Sequence, residues 1–203
     1  MVQALLKSIT FAEFSEWYPD TGVRYELHDG VIVEMNQPTG DHELIIALLG
    51  RNLTAEIIRQ NFPYIIAKNA FVKPSTAESA YCPDILLINY HNLVNEPLWK
   101  KQSTLTQSAS VPLVVEVVSS NWGIDYGRKL NDYEVMGIPE YWIVDYLGLG
   151  ARRLIGSPKL PTLSIYSLTD GEYQVSQFRG DEVIVSSAFP ELSLTAREIL
   201  QPQ

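Results

Sequence analysis

Two carboxylates stand in the most apolar surroundings of this chain. Asp84 lies in Tyr-Cys-Pro-Asp-Ile-Leu-Leu-Ile and Glu116 in Pro-Leu-Val-Val-Glu-Val-Val-Ser-Ser. Both runs are short and rich in β-branched residues or leucine, which reads as buried strand rather than helix. An ionised group in such a strand is costly unless something compensates it. Two of them, 32 positions apart in separate strands, predict neighbouring strand positions that share one cation. Zinc would call for histidines or cysteines at short spacing, whereas His28, His42 and His91 are dispersed. The chain has no Gly-rich phosphate loop and no Gly-x-Ser-x-Gly elbow. Two carboxylates with open positions suit a hard cation, Mg²⁺ or Mn²⁺, that keeps several waters and takes phosphate oxygens. The chemistry that follows is phosphodiester hydrolysis.

Such a site gains from a lysine that orients the attacking water or stabilises developing charge. Residues two apart on a strand share a face, so position 118 is the first place to look, and it is Val118. The nearest downstream lysine is Lys129, about one turn into the helix expected after Glu116 and beside a Tyr126-Leu130-Tyr133 stripe. Packed across the Glu116 strand, that helix would bring Lys129 into the pocket, with Tyr133 lining the same approach. A purely structural reading also accounts for these residues. Asp84 would cap a turn after Pro83, and Glu116 would pair with Lys129 as a buried salt bridge.

The elements that must position these groups are legible in outline. Residues 10–18 read as a short amphipathic helix, with Thr10 as N-cap and Glu13 completing a capping box. Arg24–Met35 reads as a hairpin, because Asp29-Gly30 supplies the positive φ angles that a tight turn needs. Glu26, on this hairpin, is expected as a solvated or cross-strand partner, with reach into the site as the alternative. After Pro38-Thr39-Gly40, Asp41 is expected to cap a helix running to about Gln60. His42, Ile45, Ile46, Leu49, Leu53 and Ile57 fall on one stripe of that helix. His42 therefore opens the helix on its core-facing side, with Glu43 on its flank. A packed histidine and a group beside the proposed ion are equally good readings of it.

Phe62–Val72 reads as one strand, Lys73–Ser79 as a polar turn, and residues 90–110 as a crossing loop or short helix. Ser119 to Gly123 ends the Glu116 strand and leads into a helix over Asp125–Met136, stopped by Gly137 with Pro139 beyond. Glu140–Tyr146 is the next buried strand, which completes a βαβ unit. Leu163–Leu168 and Tyr173–Phe178 flank Thr-Asp-Gly as a second hairpin. Val183–Val185 gives one more short strand, and Thr195–Leu200 a terminal helical turn. The expected architecture is one α/β (α+β mixed-sheet) domain over residues 1–203. Helices pack on a central sheet, and β-hairpins lie at either end.

Composition narrows the function classes. A hydrophobic fraction of 46% with no bilayer-length apolar run fits a globular protein without a membrane span. Met1–Thr10 has neither a basic n-region nor a long apolar h-region, so secretion is not expected. Cys82 is the only cysteine, which rules out an internal disulfide and fits a cytoplasmic setting. Its strand context favours a small buried hydrophobe over a nucleophile. The net charge of −9 argues against nucleic-acid binding through the whole surface and leaves room only for a local basic groove.

Pro83-Asp84 followed by Glu116-Val117-Val118 resembles the PD-(D/E)xK signature of restriction-endonuclease-like nucleases. The segment Asp125…Lys129…Tyr133…Gly137-Ile138-Pro139-Glu140-Tyr141-Trp142-Ile143-Val144-Asp145 is similar to the Uma family of endonucleases within that superfamily. Tyr25-Glu26-Leu27-His28-Asp29-Gly30 and the helix opened by His42 resemble that family's N-terminal part. The likeness runs from about Phe11 to Leu200. It implies a restriction-endonuclease-like core in which Asp84 and Glu116 hold Mg²⁺ or Mn²⁺ together with the Val117 carbonyl. Lys129 would replace the strand lysine that Val118 displaces. Catalytic roles then fall to Asp84, Glu116 and Lys129, and accessory roles to His42, Glu43, Glu26, Asp125 and Tyr133. The implied substrate is DNA, and double-strand cleavage by one-site subunits favours a homodimer. The competing class is a binding module for nucleic acid or protein that keeps this fold without activity. The negative charge and Val118 favour it.

Overall fold

The structure, a computed structural model, describes residues 8–201. Most of the leader reading, at Met1–Lys7, lies outside them, as do the last two residues of the 1–203 domain call.

The chain begins with α1 (Phe11–Trp17), whose Thr10 cap and Glu13 close the expected capping box. Then β1 (Tyr25–His28) and β2 (Val31–Glu34) pair as an antiparallel hairpin. Asp29 and Gly30 at its turn both have positive φ, 49° and 78°, the combination that a tight two-residue turn requires. Helix α2 (Gly40–Gln60) follows, with His42, Ile45, Leu49, Leu53 and Ile57 buried along one stripe. Its cap is Thr39 rather than Asp41: the Thr39 hydroxyl accepts from the His42 N–H, and Asp41 sits inside the first turn. There its charge favours the positive end of the helix dipole.

The segment expected as one strand over Phe62–Val72 is two, β3 (Tyr64–Ala67) and β4 (Phe71–Val72). Polar, strand-averse Lys68-Asn69 separates them, and they join different sheets. Next come β5 (Ile85–Asn89), a 3₁₀ turn over Tyr90–Asn95, the single-turn α3 (Trp99–Gln102), β6 (Thr104–Leu105) and a 3₁₀ turn over Ser108–Ser110. Glu96 organises this crossing by accepting from the Thr106 N–H, the Thr106 hydroxyl and the Gln107 N–H. β7 (Leu113–Val117) is buried at every position.

The helix after β7 starts earlier than expected and is not uniform. It runs as α4 (Trp122–Ile124), a π turn over Asp125–Lys129, and α5 (Leu130–Met136), ended by Gly137 at φ 82°. β8 (Glu140–Asp145) then pairs parallel to β7, completing the βαβ unit. Short helix α6 (Arg152–Ile155) leads to β9 (Thr162–Thr169) and β10 (Glu172–Phe178), and α7 (Ala196–Leu200) closes the chain under a Thr195–Glu198 capping box. The expected Val183–Val185 strand is absent: only a single bridge, Val183 to Thr195, forms there. Val183 and Val185 both face solvent, and Ile184 between them is buried and donates its N–H to the Leu194 carbonyl.

The central sheet has the order β10-β9-β8-β7-β5-β3, parallel only between β7 and β8. The C-terminal hairpin is thus an edge of the main sheet, whereas β1–β2 forms a small sheet of its own. Strand alternation sorts the core by parity. Val115, Val117, Leu113, Ile85 and Leu87 face α2 and α7. Val114, Val118, Leu86, Ile88, Tyr141 and Ile143 face the opposite side, packing with Tyr126 and Tyr133. Glu116 shares the parity of the second set and so points under the π turn and α5. Two further buried carboxylates are structural. Glu140 accepts from Trp142 Nε1 and from the Ser186 hydroxyl, both at 2.6 Å, and from Ser187, tying the C-terminal segment to β8. Asp145 accepts from the Leu149 and Gly150 N–H groups at 2.8 Å each.

Candidate active site

Asp84 is not inside a strand. It is the residue before β5, one step beyond the Ile85–Val115 pair, where the antiparallel register sets it opposite Glu116. Pro83 cannot donate to a ladder, so regular pairing stops there. The Asp84 side chain takes over, and its Oδ2 accepts from the Val117 N–H at 2.8 Å. The two carboxylates therefore meet at the open end of the β5–β7 pair.

Lys129 reaches this point from the π turn. Asp125, Tyr126 and Lys129 are all buried on this turn. Its ammonium lies 2.8 Å from Glu116 Oε1, 3.4 Å from Glu26 Oε1 and 3.7 Å from Asp125 Oδ1. It also sits 5.7 Å from the centre of the Tyr81 ring, on which a cation is favourably placed. Tyr133 stands behind Glu116, fully buried, with its hydroxyl 3.5 Å from Oε1. Val118 is buried in the tyrosine-lined side of the core, so a lysine at that position would have to be accommodated there.

From the other side of the sheet, α2 presents His42. Its Nε2 lies 2.9 Å from the Val117 carbonyl oxygen and 3.4 Å from Asp84 Oδ2. Its Nδ1 is buried and has no hydrogen-bond partner among the described residues. The carbonyl that the resemblance assigns to a metal is thus already engaged by a histidine and retains one lone pair.

Glu26 corrects an expectation. It is no solvated hairpin residue but is 1% exposed, with its carboxylate turned toward Lys129. A Glu-x-His alternation looks like a solvent face, and what covers it comes from elsewhere in the chain: Lys129 on the π turn and the Tyr81–Cys82 segment. His28, a residue that sequence reasoning left without a role, lies 2.7 Å from Glu26 Oε2. The Cys82 N–H donates to Glu26 Oε1 at 2.9 Å.

Glu26, Asp84, Glu116, Asp125, His42 and Lys129 line one cavity of about 270 Å³, with exposed Arg24 at its rim. Val117 lines it as well. Glu43 does not: it is exposed on α2, and its charge acts on His42 from outside.

The electrostatics follow from one ammonium facing several buried carboxylates. Burial pushes Glu116 well above the ordinary carboxylate range, against the pull of Lys129 and with the help of Asp84, Asp125 and Glu26. Burial likewise lifts Asp125 to about 6. Glu26 goes the other way: burial opposes its charge, but Lys129, His28 and the Cys82 N–H together hold it below its usual value. Lys129 is raised, because Glu116, Glu26 and Asp125 outweigh its own burial. His42 is raised in the same manner, with Asp84 outweighing burial. Burial pushes the Cys82 thiol up to about 12, so it remains protonated at neutral pH and is no nucleophile.

This donor set fits a hard divalent cation. Among the described residues the Asp84 and Glu116 carboxylates each keep one oxygen, Oδ1 and Oε2, free of the hydrogen bonds that hold the other, and the cavity is short of positive charge. Among the described residues no three His, Cys, Asp or Glu side chains form a metal cage. An ion here would therefore rest on two carboxylates, with water and substrate oxygens completing its shell.

Comparison with known proteins bears on family and fold. Residues 11–197 match the family Uma2, described as "Putative restriction endonuclease". The fold is similar to the crystal structure, at 1.96 Å resolution, of a putative nuclease belonging to DUF820 from Anabaena variabilis ATCC 29413. That likeness has a TM-score of 0.72 at 16% identity and covers 95% of this chain and 97% of that one. At this identity it speaks for the fold, and the mixed sheet with its β7–α–β8 unit is a restriction-endonuclease-like core. No curated protein matches the chain. Among the described residues no helix is long and apolar enough to cross a membrane.

Proposed function

The chain belongs to the Uma2 family, and on that premise we propose that it is a divalent-metal-dependent endonuclease hydrolysing phosphodiester bonds of DNA. The observation that carries this reading is the convergence of Asp84, Glu116 and Lys129 on one cavity. Asp84 and Glu116 are the residues that would hold Mg²⁺ or Mn²⁺. A bound ion supplies charge neutralisation at a phosphate oxygen and a water of lowered pKa.

The chain's own groups do the rest. Lys129 presents a positive charge beside Glu116, where it can orient a water or meet the charge that develops on phosphorus. Its position on the helix replaces the strand lysine that Val118 excludes. His42 ties α2 to both the Val117 carbonyl and Asp84, which fixes the end of β7 against the Asp84 turn. Arg24 at the rim offers a guanidinium to an incoming phosphate. With an overall charge of −9, attraction for DNA falls to the few cations at the site, Arg24 and Lys129, and to the bound ion, so few phosphates are neutralised and the salt dependence of binding is shallow.

One observation favours an inactive binding module on the same fold: Lys129 already satisfies Glu116 at 2.8 Å. Incubation of the purified protein with supercoiled plasmid and single-stranded DNA separates the two readings. Nicking or cutting with Mg²⁺ or Mn²⁺, abolished by chelator and by Asp84→Ala, supports the nuclease. Tight, metal-independent binding without cleavage of any DNA or RNA form supports the module. Light scattering across concentrations tests the expected homodimer.

A further inference from the structure

Resting on that nuclease reading, we propose that Glu26 is the positioning residue for Lys129. It is a fixed anion that holds the ammonium in the site when Glu116 turns to a metal ion. The argument starts from the three carboxylates around Lys129 Nζ. Only Glu116 is at hydrogen-bond distance, 2.8 Å, while Glu26 is at 3.4 Å and Asp125 at 3.7 Å. Glu116 is also the group assigned to the cation, so the two demands on it compete. Asp125 belongs to the same turn as Lys129, four residues earlier, and moves with it.

Glu26 comes from outside that helix, and both of its oxygens are anchored independently of Lys129. Oε1 accepts from the Cys82 N–H at 2.9 Å, and Oε2 lies 2.7 Å from His28 Nε2. The backbone beneath it is pinned as well, since Leu27 bridges Ala80 through hydrogen bonds in both directions. At 1% exposure its carboxylate has no water to exchange with freely. A flexible lysine stem is thereby given one stationary partner. The Cys82 contact also places that partner on the segment that ends in Asp84, so hairpin, metal-binding turn and helix meet through one side chain. The exposed Arg128–Asp29 ion pair, 3.0 Å, joins the same hairpin and π turn from the outer side. The β1–β2 hairpin therefore belongs to the working site, although it lies outside the central sheet.

The test reads Lys129 directly, without turnover. Metal-free protein is treated with an amine-reactive acylating reagent, and labelling of the Lys129 peptide is measured by mass spectrometry against exposed Lys100. Wild type and Glu116→Gln should both protect Lys129, because Glu26 remains in place. Glu26→Gln, which keeps shape and hydrogen-bonding capacity but loses the charge, should raise Lys129 labelling about five-fold or more. In cleavage assays Glu26→Gln should lower kcat about ten-fold or more with KM for DNA within about two-fold. Glu26→Asp should fall between it and wild type. Unchanged labelling in Glu26→Gln, or an equal rise in Glu116→Gln, overturns the proposal. Should Glu26→Gln fail to fold, Glu26→Asp with wild-type kcat and labelling overturns it equally. A wild-type protein that cleaves nothing refutes the nuclease reading instead, and the labelling comparison still decides what holds Lys129.

Discussion

The Lys129 ammonium lies 2.8 Å from the Glu116 carboxylate although thirteen positions separate them. β7 carries Glu116 on the face turned toward the following helix, and the π turn brings Lys129 down onto it. Both side chains are nearly excluded from water, so Glu116 depends on this one ammonium, which Glu26 and Asp125 share. The consequences can be measured one residue at a time.

Lys129→Met should be strongly destabilising in metal-free protein. It keeps the apolar stem but leaves Glu116, Glu26 and Asp125 without their shared cation. Loss of one partner from a buried ion pair costs about 3–5 kcal/mol. The expected result is a lower denaturant midpoint, partly restored by Mn²⁺. No recovery with Mn²⁺ would mean that the carboxylates do not bind it.

The pH dependence of stability has a definite sign. In the folded, metal-free chain Asp125 holds its proton up to about 6, against 3.8 in the ordinary state. Its contribution is fully present below 3.8 and is lost as pH rises through about 6, a loss of at most roughly 3 kcal/mol. Glu116, also raised, acts in the same direction. His42 adds to it, because stability from its contact with Asp84 is present below 6.5 and lost above its raised folded value. Glu26 is lowered, so its contribution is lost only as pH falls below 4.5 and does not offset the others between pH 5 and 8. Denaturation midpoints should therefore fall from pH 5 to pH 8 without metal, and Asp125→Asn should flatten the lower part of that slope.

Part of this site is legible in the sequence. The stop at Gly137-x-Pro139 defines a crossover helix after the Glu116 strand, and Lys129 reaches Glu116 on the condition, met here, that this helix packs across that strand. What local pattern could not supply was contact between elements distant in the chain. Glu26 and His28 alternate as solvent-facing residues would, and it is the π turn together with the Tyr81–Cys82 segment that makes that face an interior. The π turn has no signature in Asp-Tyr-Gly-Arg-Lys beyond its glycine. The apolar run after Asp84 makes it look like a strand residue, whereas Pro83 ends the ladder and β5 starts at Ile85. The Val183–Val185 run has strand composition, but its pairing with the chain at Leu194–Thr195 stops at a single bridge.

Glu140 supplies a prediction about stability alone. It is fully buried on β8, and its oxygens accept from Trp142, Ser186, Ser187 and Ala188. Glu140→Ala leaves those donors unsatisfied at about 1–3 kcal/mol each before relaxation, so a net loss of roughly 3 kcal/mol or more is expected. Equilibrium denaturation of the variant measures it. A change under about 0.5 kcal/mol would show that the C-terminal segment is held by other contacts.

Glu116→Gln tests the centre of the functional reading. Glutamine keeps the shape and one acceptor oxygen, so Lys129 and Tyr133 retain a neighbour, but the charge that would hold a cation is gone. Cleavage should fall on the order of 10³-fold or more, the scale of several kcal/mol of barrier lost with a metal-supported step. Mn²⁺ binding measured by calorimetry should weaken in parallel. Stability of the metal-free protein should not fall, because burial already disfavours the Glu116 charge, and Lys129 keeps Glu26 and Asp125 as partners. That combination, activity and metal affinity lost while the midpoint holds or rises, is what separates an ion-binding carboxylate from a structural salt bridge. A structural bridge would show the reverse, a lowered midpoint with metal binding unaffected. Equal cleavage by wild type and variant would assign the activity to a contaminant and withdraw it from this site.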